Sequence, residues 1–125
     1  EMQGITERDG KADTLMVSAE KAFNDKDFKT ARGYLYQINQ EHPENSMFTF
    51  YYGVTLMELD SLQKSRQLFE ELFNGKSIYK NEAAFYLALT YIKEKNNPMA
   101  IQWLQKINPD AGNYKKTEKL LNKLK

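Results

Sequence analysis

The sequence predicts an all-α fold, and three observations support that prediction. Apolar residues recur every three or four positions through most of the chain, which places them on one face of a helix. No stretch alternates polar and apolar residues long enough to predict a strand. Short polar breaks containing Asn, Asp, Gly or Pro separate the periodic segments, so about seven short helices in antiparallel pairs are predicted.

Composition bounds both the size and the kind of protein. The chain has 125 residues, which corresponds to one domain at most, and its 41% of hydrophobic residues can build a core. Its 18 Lys and Arg residues nearly balance 17 Asp and Glu residues, whereas nucleic-acid-binding domains usually carry a clear basic excess. Cysteine is absent, which excludes disulfides and thiolate metal sites. The longest apolar stretches, Met47–Met57 and Ala83–Ile92, are shorter than the ~20 residues of a membrane-spanning helix.

Residues 1–11 are predicted to form a flexible leader, because they combine two glycines with charges of both signs and show no apolar period. They lack the apolar run of an intact signal peptide, and a cleaved signal or an anchor upstream of Glu1 stays open. The use of 15 Lys against 3 Arg resembles that of low-GC bacterial proteins. We therefore expect the soluble domain of a bacterial envelope protein, with cytoplasm and periplasm both allowed as locations.

Polar and glycine residues in the breaks are predicted to start or stop helices. Asp60, with Gln63 three residues later, fits a capping box. Asn97 before Pro98 suggests an N-cap followed by a proline at the first helical position. Gly75 is expected to end a helix in the left-handed conformation.

A repeat of small residues is the main organising signal. Two series of small residues recur at intervals of 34 and then 35 positions, and the two series are offset by 12 residues. They are Ala19, Gly53 and Ala88, and Ala31, Ser65 and Ala100. Two helices approach closely only where their side chains are small, so each pair predicts a tight helix crossing.

Large apolar residues keep the same spacing. They are Leu35, Phe69 and Leu104, and Ile38, Leu72 and Ile107. One helix pair cannot bury its apolar face alone, so these side chains are predicted to fill the layers between successive pairs.

This arrangement resembles the tetratricopeptide repeat (TPR) family, whose units are helix-turn-helix pairs of 34 residues. The third copy matches best, although Ser77 stands where the second copy would commonly close with a proline. The matching residues of that third copy are Ala84, Leu87, Ala88, Tyr91, Ala100 and Leu104. The resemblance implies a right-handed α-solenoid of three hairpins. Their expected ranges are 12–45, 46–80 and 81–112, followed by a C-terminal capping helix at 113–125.

Residues 113–125 depart from the repeat. Tyr114, Leu120, Leu121 and Leu124 can share one helix face, with five lysines around it. We interpret this helix as a cap on the third hairpin, because terminal repeats need a polar outer face. The alternative is a basic amphipathic helix that binds acidic lipid. Trp103 is expected to be partly buried beneath the cap.

The residues that usually carry chemistry form no catalytic or metal-binding constellation in the sequence. His42 is the only histidine and lies in a predicted loop. Turn carboxylates such as Asp25 and Asp27 are explained by helix capping, and the six glycines form no phosphate-binding loop. We therefore predict a protein that is not an enzyme, with no catalytic residue, metal or cofactor.

The resemblance also implies a binding groove, lined by the first helix of each hairpin, where peptides or helices bind in this family. The corresponding residues here are Met16, Glu20, Phe23, Phe50, Tyr51, Val54, Met57, Glu82, Phe85, Tyr86 and Leu89. One subclass of the family grips a peptide carboxylate with cationic side chains, but these positions supply no cation, so that mode is rejected. Aromatic and Met side chains instead predict a groove for an apolar or amphipathic protein segment. Any single aromatic residue of the set could belong to the core, since such stripes commonly pack between helices.

The predicted function is a non-catalytic scaffold that binds a protein or peptide partner. One alternative is homo-oligomerisation, in which the groove receives part of a second copy. Another is a small helical ligand-binding domain or enzyme, which would need a closed polar cavity. Nucleic-acid binding through the C-terminal lysines is disfavoured by the net charge of +1. Membrane contact is expected only through a region outside this chain.

Overall fold

The computed structural model describes residues 10–125, and side-chain positions from Thr14 onward. This part of the chain forms seven helices and contains no strand, so the all-α prediction is confirmed for it. The helices are α1 (Gly10–Asn24), α2 (Phe28–Glu41), α3 (Ser46–Glu58), α4 (Leu62–Asn74), α5 (Lys80–Lys93), α6 (Asn97–Leu104) and α7 (Tyr114–Leu124). Helix α1 begins at Gly10, inside the predicted leader, and residues 1–9 of that leader lie outside the described residues.

The chain divides into two compact units, the first ending at Leu68 and the second beginning at Phe69. In the first unit α2 packs against both α1 and α3. Its core comprises Ala19, Ala22, Ala31, Leu35, Ile38, Phe48, Tyr52, Leu56 and Leu68. In the second unit α6 packs against both α5 and α7. Its core comprises Ala84, Ala88, Ala100, Leu104 and Ile107.

Three helix-helix turns share one backbone geometry and recur with the period of the sequence repeat. Lys26, Asp60 and Lys95 are left-handed, with φ of 62°, 61° and 61°. These positions are separated by 34 and 35 residues, the same intervals as the small side chains. The repeat in the sequence therefore corresponds to a repeat in the backbone.

Hydrogen bonds in each turn form a Schellman motif, in which the two residues after the C-cap residue donate back to the last turn of the helix. At the first turn Lys26 N donates to Phe23 O and Asp27 N to Ala22 O, both at 2.9 Å. Asp27 also begins the next helix, because its side chain accepts a hydrogen bond from Thr30 N at 3.3 Å. One short segment thus ends one helix and caps the next.

The third turn repeats this dual role with different residues. Lys95 N donates to Ile92 O at 2.9 Å and Asn96 N donates to Tyr91 O at 2.8 Å. The side chain of Asn96 then accepts from Met99 N at 3.2 Å. Asn96 is therefore the N-cap of α6, and the prediction that Asn97 holds this position is wrong by one residue.

Two other capping predictions are also wrong. Asp60 is not an N-cap, because it is itself the left-handed residue that ends α3, and Ser61 directly precedes α4. Gly75 follows α4 without adopting the left-handed conformation. The three turns instead place Lys or Asp in that conformation, at a cost of about 1–2 kcal/mol each.

All six small residues of the repeat are buried. In the first unit a hydrogen bond shows how close the crossing of α3 and α4 is. The Ser65 hydroxyl donates to the carbonyl oxygen of Gly53 at 2.7 Å, and Ser65 is fully buried. A larger side chain at either position would separate these two helices.

The large residues of the repeat are also buried, as predicted. Leu35 and Phe69 have no exposed surface, and Leu104 is 1% exposed. In the second unit Tyr114, Leu120, Leu121 and Leu124 of α7 pack against the core, which confirms the predicted apolar face of this helix. Asn113, just before α7, donates through Nδ2 to Asn81 O at 3.1 Å and so ties α7 to α5.

Leu104→Ala tests the predicted packing in the second unit. We expect the free energy of unfolding to fall by about 2–5 kcal/mol, because the truncation leaves a cavity in the core. Gln102→Ala, an exposed change on the same helix, is the control and should stay within about 0.5 kcal/mol. Chemical denaturation measures the free energy of unfolding of both variants. An equal loss in the two variants would contradict the predicted packing.

Lys95→Gly tests the strain at the repeated turns. We expect it to raise the free energy of unfolding by about 0.5–1 kcal/mol, because glycine adopts the left-handed conformation without steric cost. Lys119→Gly makes the same change in charge within α7, at an exposed helical position. The free energy of unfolding of this control should fall by about 1 kcal/mol, because glycine destabilises a helix. Thermal denaturation measures both changes in the free energy of unfolding. Changes in the same direction for the two substitutions would contradict the proposed strain at the turn.

Candidate binding site

A cluster of four aromatic rings lies on the first unit, where α1, α2 and α3 meet. Phe23 packs edge-to-face on Tyr51, with ring centroids 4.7 Å apart, and on Phe28 at 5.7 Å. Tyr51 packs in the same manner on Phe50 at 5.2 Å. Phe23, Phe28 and Tyr51 are half-buried, whereas Phe50 is buried. The cluster therefore combines contact with the core and surface open to solvent.

A surface depression of about 340 Å³ adjoins this cluster. It is lined by Phe23, Asn24, Lys26, Phe28, Val54 and Glu58, and we call it the first-unit depression. Two phenylalanine rings and a valine supply an apolar wall. Lys26 and Glu58, both exposed, place a positive and a negative charge beside it. A depression with this lining can hold an apolar side chain and contact polar groups on either side of it.

The structure brings some of the predicted groove residues of the first unit together at this depression. Phe23 and Val54 line it, and Tyr51 contacts Phe23. Met16 and Glu20 are half-buried on α1. Phe50, Val54 and Met57 are 6%, 7% and 5% exposed, so these three offer little free surface. The sequence reasoning did not include Asn24, Lys26, Phe28 and Glu58.

The predicted groove residues of the second unit, Glu82, Phe85, Tyr86 and Leu89, are all half-buried on α5. Phe85 packs edge-to-face on Tyr86 at 6.1 Å, and Tyr86 stacks on Phe69 at 5.8 Å. Lys116 of α7 lies over the Phe85 ring, with Nζ 4.5 Å from its centroid.

Lys116 Nζ also lies 4.0 Å from a carboxylate oxygen of Glu82. The predicted groove positions contain no cation, but α7 brings one to two of them. No sequence signal on α5 could have indicated this contact, because it depends on how α7 packs.

A second depression of the first unit, about 290 Å³, lies between α1 and α2 and is more polar. Two carboxylates face it, but each already has a structural role. Asp25 is paired with Lys21 at 3.2 Å, and Asp27 caps α2. Both acids are thus explained by the turn that they stabilise.

His42 lies 3.6 Å from Glu44 at an exposed loop. Among the described residues, no three His, Cys, Asp or Glu side chains come close enough to hold a metal ion. None of the described helices combines the length and the apolar character needed to span a membrane.

No protein-family model matches the sequence, and no curated protein matches it.

The pKa of the Tyr52 hydroxyl departs clearly from its ordinary value. Burial raises the pKa of the Tyr52 hydroxyl above 10.0, the nearby Tyr36 adds to the rise, and Arg32 opposes it. Tyr52 is 5% exposed within the first core, and its ring packs edge-to-face on Tyr36 at 6.5 Å. The folded state therefore favours the neutral phenol.

This shift predicts how stability depends on pH. A raised folded-state pKa means that the contribution of Tyr52 is complete below about pH 10 and is lost as pH rises through the folded-state pKa. We expect the free energy of unfolding of the natural chain to fall more steeply above about pH 10 than that of Tyr52→Phe, which cannot ionise. Urea denaturation across this range measures the two curves, and parallel curves would show that Tyr52 does not contribute.

Proposed function

We propose that this protein is a non-catalytic, TPR-like scaffold that binds an apolar or amphipathic segment of a partner protein. The proposal includes a right-handed solenoid of three helical hairpins, with α7 as the C-terminal cap. What supports this architecture is the agreement of two independent periods. The left-handed turn residues and the buried small residues both recur after 34 and 35 positions.

The observation that carries the binding proposal is the first-unit depression beside the half-buried rings of Phe23 and Tyr51. Aromatic side chains contribute large contact areas and dominate the energetics of protein interfaces. They are most effective next to a concavity that excludes water from the contact. An apolar side chain of a partner can occupy the depression and pack against the phenylalanine rings.

The charges at the depression indicate what should flank that apolar side chain. Glu58 is exposed at its margin, and Glu20 lies on α1, the helix that also carries Phe23. A basic residue next to the apolar anchor would pair with these carboxylates. Lys26 lies at the same depression and would donate a hydrogen bond to a carboxylate or carbonyl oxygen of the partner. The favoured partner is therefore an amphipathic segment with an aromatic or aliphatic anchor and at least one basic neighbour.

Peptide display tests this proposal. Random peptides are selected on the full chain, and the affinity of a synthetic selected peptide is then measured by calorimetry. Glu58→Lys should weaken binding about tenfold, because it replaces an attractive charge with a repulsive one. Tyr51→Leu keeps apolar bulk but removes the ring, and it should weaken binding at least about fivefold.

Matched variants make the result interpretable. Glu44→Lys makes the same change in charge at an exposed position outside the depression, and it should leave the affinity unchanged. Tyr36→Leu removes an exposed ring on α2 and serves as the control for Tyr51→Leu. Selected peptides that bind all four variants equally would overturn the proposed site.

Two alternatives are separated by further measurements. Sedimentation equilibrium over a hundredfold concentration range would show a dimer if the depression receives a second copy, and Glu58→Lys would then dissociate it. A ligand-binding domain or enzyme would instead bind small molecules from a screen in competition with the selected peptide. A monomer that binds the peptide alone supports the scaffold.

A further inference from the structure

The connection between α4 and α5 contains an isoleucine whose side chain is exposed to solvent. The Ile78 side chain is 90% exposed. The residue lies in a compact turn built on Ser77. The Ser77 carbonyl accepts a hydrogen bond from Lys80 N at 3.3 Å, and its hydroxyl accepts one from Tyr79 N at 2.9 Å. Ile78 is a central residue of this hydrogen-bonded turn.

Two aromatic rings of the same unit lie close to the helix that follows this turn. Phe73, in the last turn of α4, packs edge-to-face on Trp103 of α6, with centroids 5.2 Å apart. Both rings are half-buried. Lys80 links this pair to the turn, because it starts α5 and its Nζ lies 4.9 Å from the Phe73 centroid.

The lysines around these apolar groups create a cationic rim. Lys106 Nζ lies 5.3 Å from the Trp103 centroid, so each ring of the pair carries an ammonium group near its face. Lys76 and Lys80 flank Ile78 at two residues on either side, and all three lysines are exposed. We call the set Phe73, Lys76, Ile78, Lys80, Trp103 and Lys106 the Ile78 patch.

The second unit as a whole carries a net positive charge. Residues 69–125 contain ten lysines and six carboxylates, which gives a net charge of +4. Residues 113–125 supply this excess, and residues 69–112, which include the Ile78 patch, hold five lysines and five carboxylates. Residues 1–68 contain eight basic and eleven acidic side chains, which gives −3. The carboxylates nearest in sequence to the turn are Glu71 and Glu82, and Glu82 is engaged by Lys116. An anionic partner is therefore attracted to this unit.

We propose that the Ile78 patch binds the surface of an anionic lipid bilayer. A side chain that protrudes from a closed turn can enter the acyl region without a complementary pocket, whereas a protein partner would need one. Tryptophan at the headgroup level and lysines that extend toward the phosphates are the side chains that anchor proteins at membrane interfaces. This differs from the expectation that membrane contact involves only a region outside this chain.

The binding proposed here is peripheral and reversible. Ile78 would enter the boundary between headgroups and acyl chains, and Lys76, Lys80 and Lys106 would pair with lipid phosphates. Each lysine near an anionic surface strengthens binding about fivefold at physiological salt. The patch shares no residue with the first-unit depression. A negative result for lipid binding would therefore leave the proposed binding of a partner segment untouched, and the reverse also holds.

Trp103 provides a direct test, because it is the only tryptophan of the chain and belongs to the patch. The full chain is titrated with phosphatidylcholine vesicles that contain about one third phosphatidylserine. We expect a blue shift of the Trp103 emission and quenching by brominated acyl chains. Pure phosphatidylcholine vesicles should produce at most a small shift, and added salt should reverse the binding.

Variants separate the patch from general electrostatic attraction. Ile78→Asp changes an exposed side chain and should lower the vesicle partition coefficient at least tenfold. Lys76→Glu should lower it more than tenfold, since it replaces attraction with repulsion at the patch. Lys119→Glu makes the same charge change on α7 and should have a much smaller effect.

Three outcomes would overturn the proposal. The first is the absence of vesicle binding even at low salt. The second is an equal loss of binding in Lys76→Glu and Lys119→Glu, with Ile78→Asp unaffected, which would assign the binding to overall charge. The third is an emission shift caused by soluble poly-glutamate but not by vesicles, which would identify an acidic protein segment as the partner.

Discussion

Close approach of paired helices at small side chains is the constraint on which the rest of the structure depends. The contact between Ser65 Oγ and Gly53 O, at 2.7 Å, shows one such crossing directly. Ala19, Ala31, Ala88 and Ala100 at the equivalent positions are fully buried. The larger residues of the same repeat are buried as well, with Leu35 in the core of the first unit and Leu104 in the core of the second.

The turns between the helices are the second feature that determines this packing. Each of the repeated turns reverses the chain with few residues, and in two of them one residue both closes the Schellman motif and caps the next helix. A single residue thereby serves two helix ends, because its backbone N–H donates to the helix before it and its side chain accepts from the helix after it. Gly53 and Ser65, which meet across the crossing of α3 and α4, lie 12 residues apart on either side of such a turn.

The sequence predicted the core better than the ends and the surface. Periodicity identifies Ala31 or Leu104 as buried because burial depends on helical register, which the sequence shows directly. It missed Lys26, Asp60 and Lys95 as left-handed residues, since nothing in Lys or Asp side chains signals that conformation strongly. Helix α3 is buried on nearly its whole circumference, so apolar spacing could not decide which of its aromatics reach the surface. Lys116 and Ile78 were missed because their surroundings depend on tertiary packing and on turn geometry.

Helix α4 spans the boundary between the two compact units, with seven residues before it and six after it. Isolated helices of such lengths do not form in water. If the chain were cut at this boundary, the part of α4 left on either fragment would therefore unfold and expose its aliphatic and aromatic side chains. Each unit therefore includes part of α4, so a fragment cut at this boundary would lack residues of a helix that the whole chain completes.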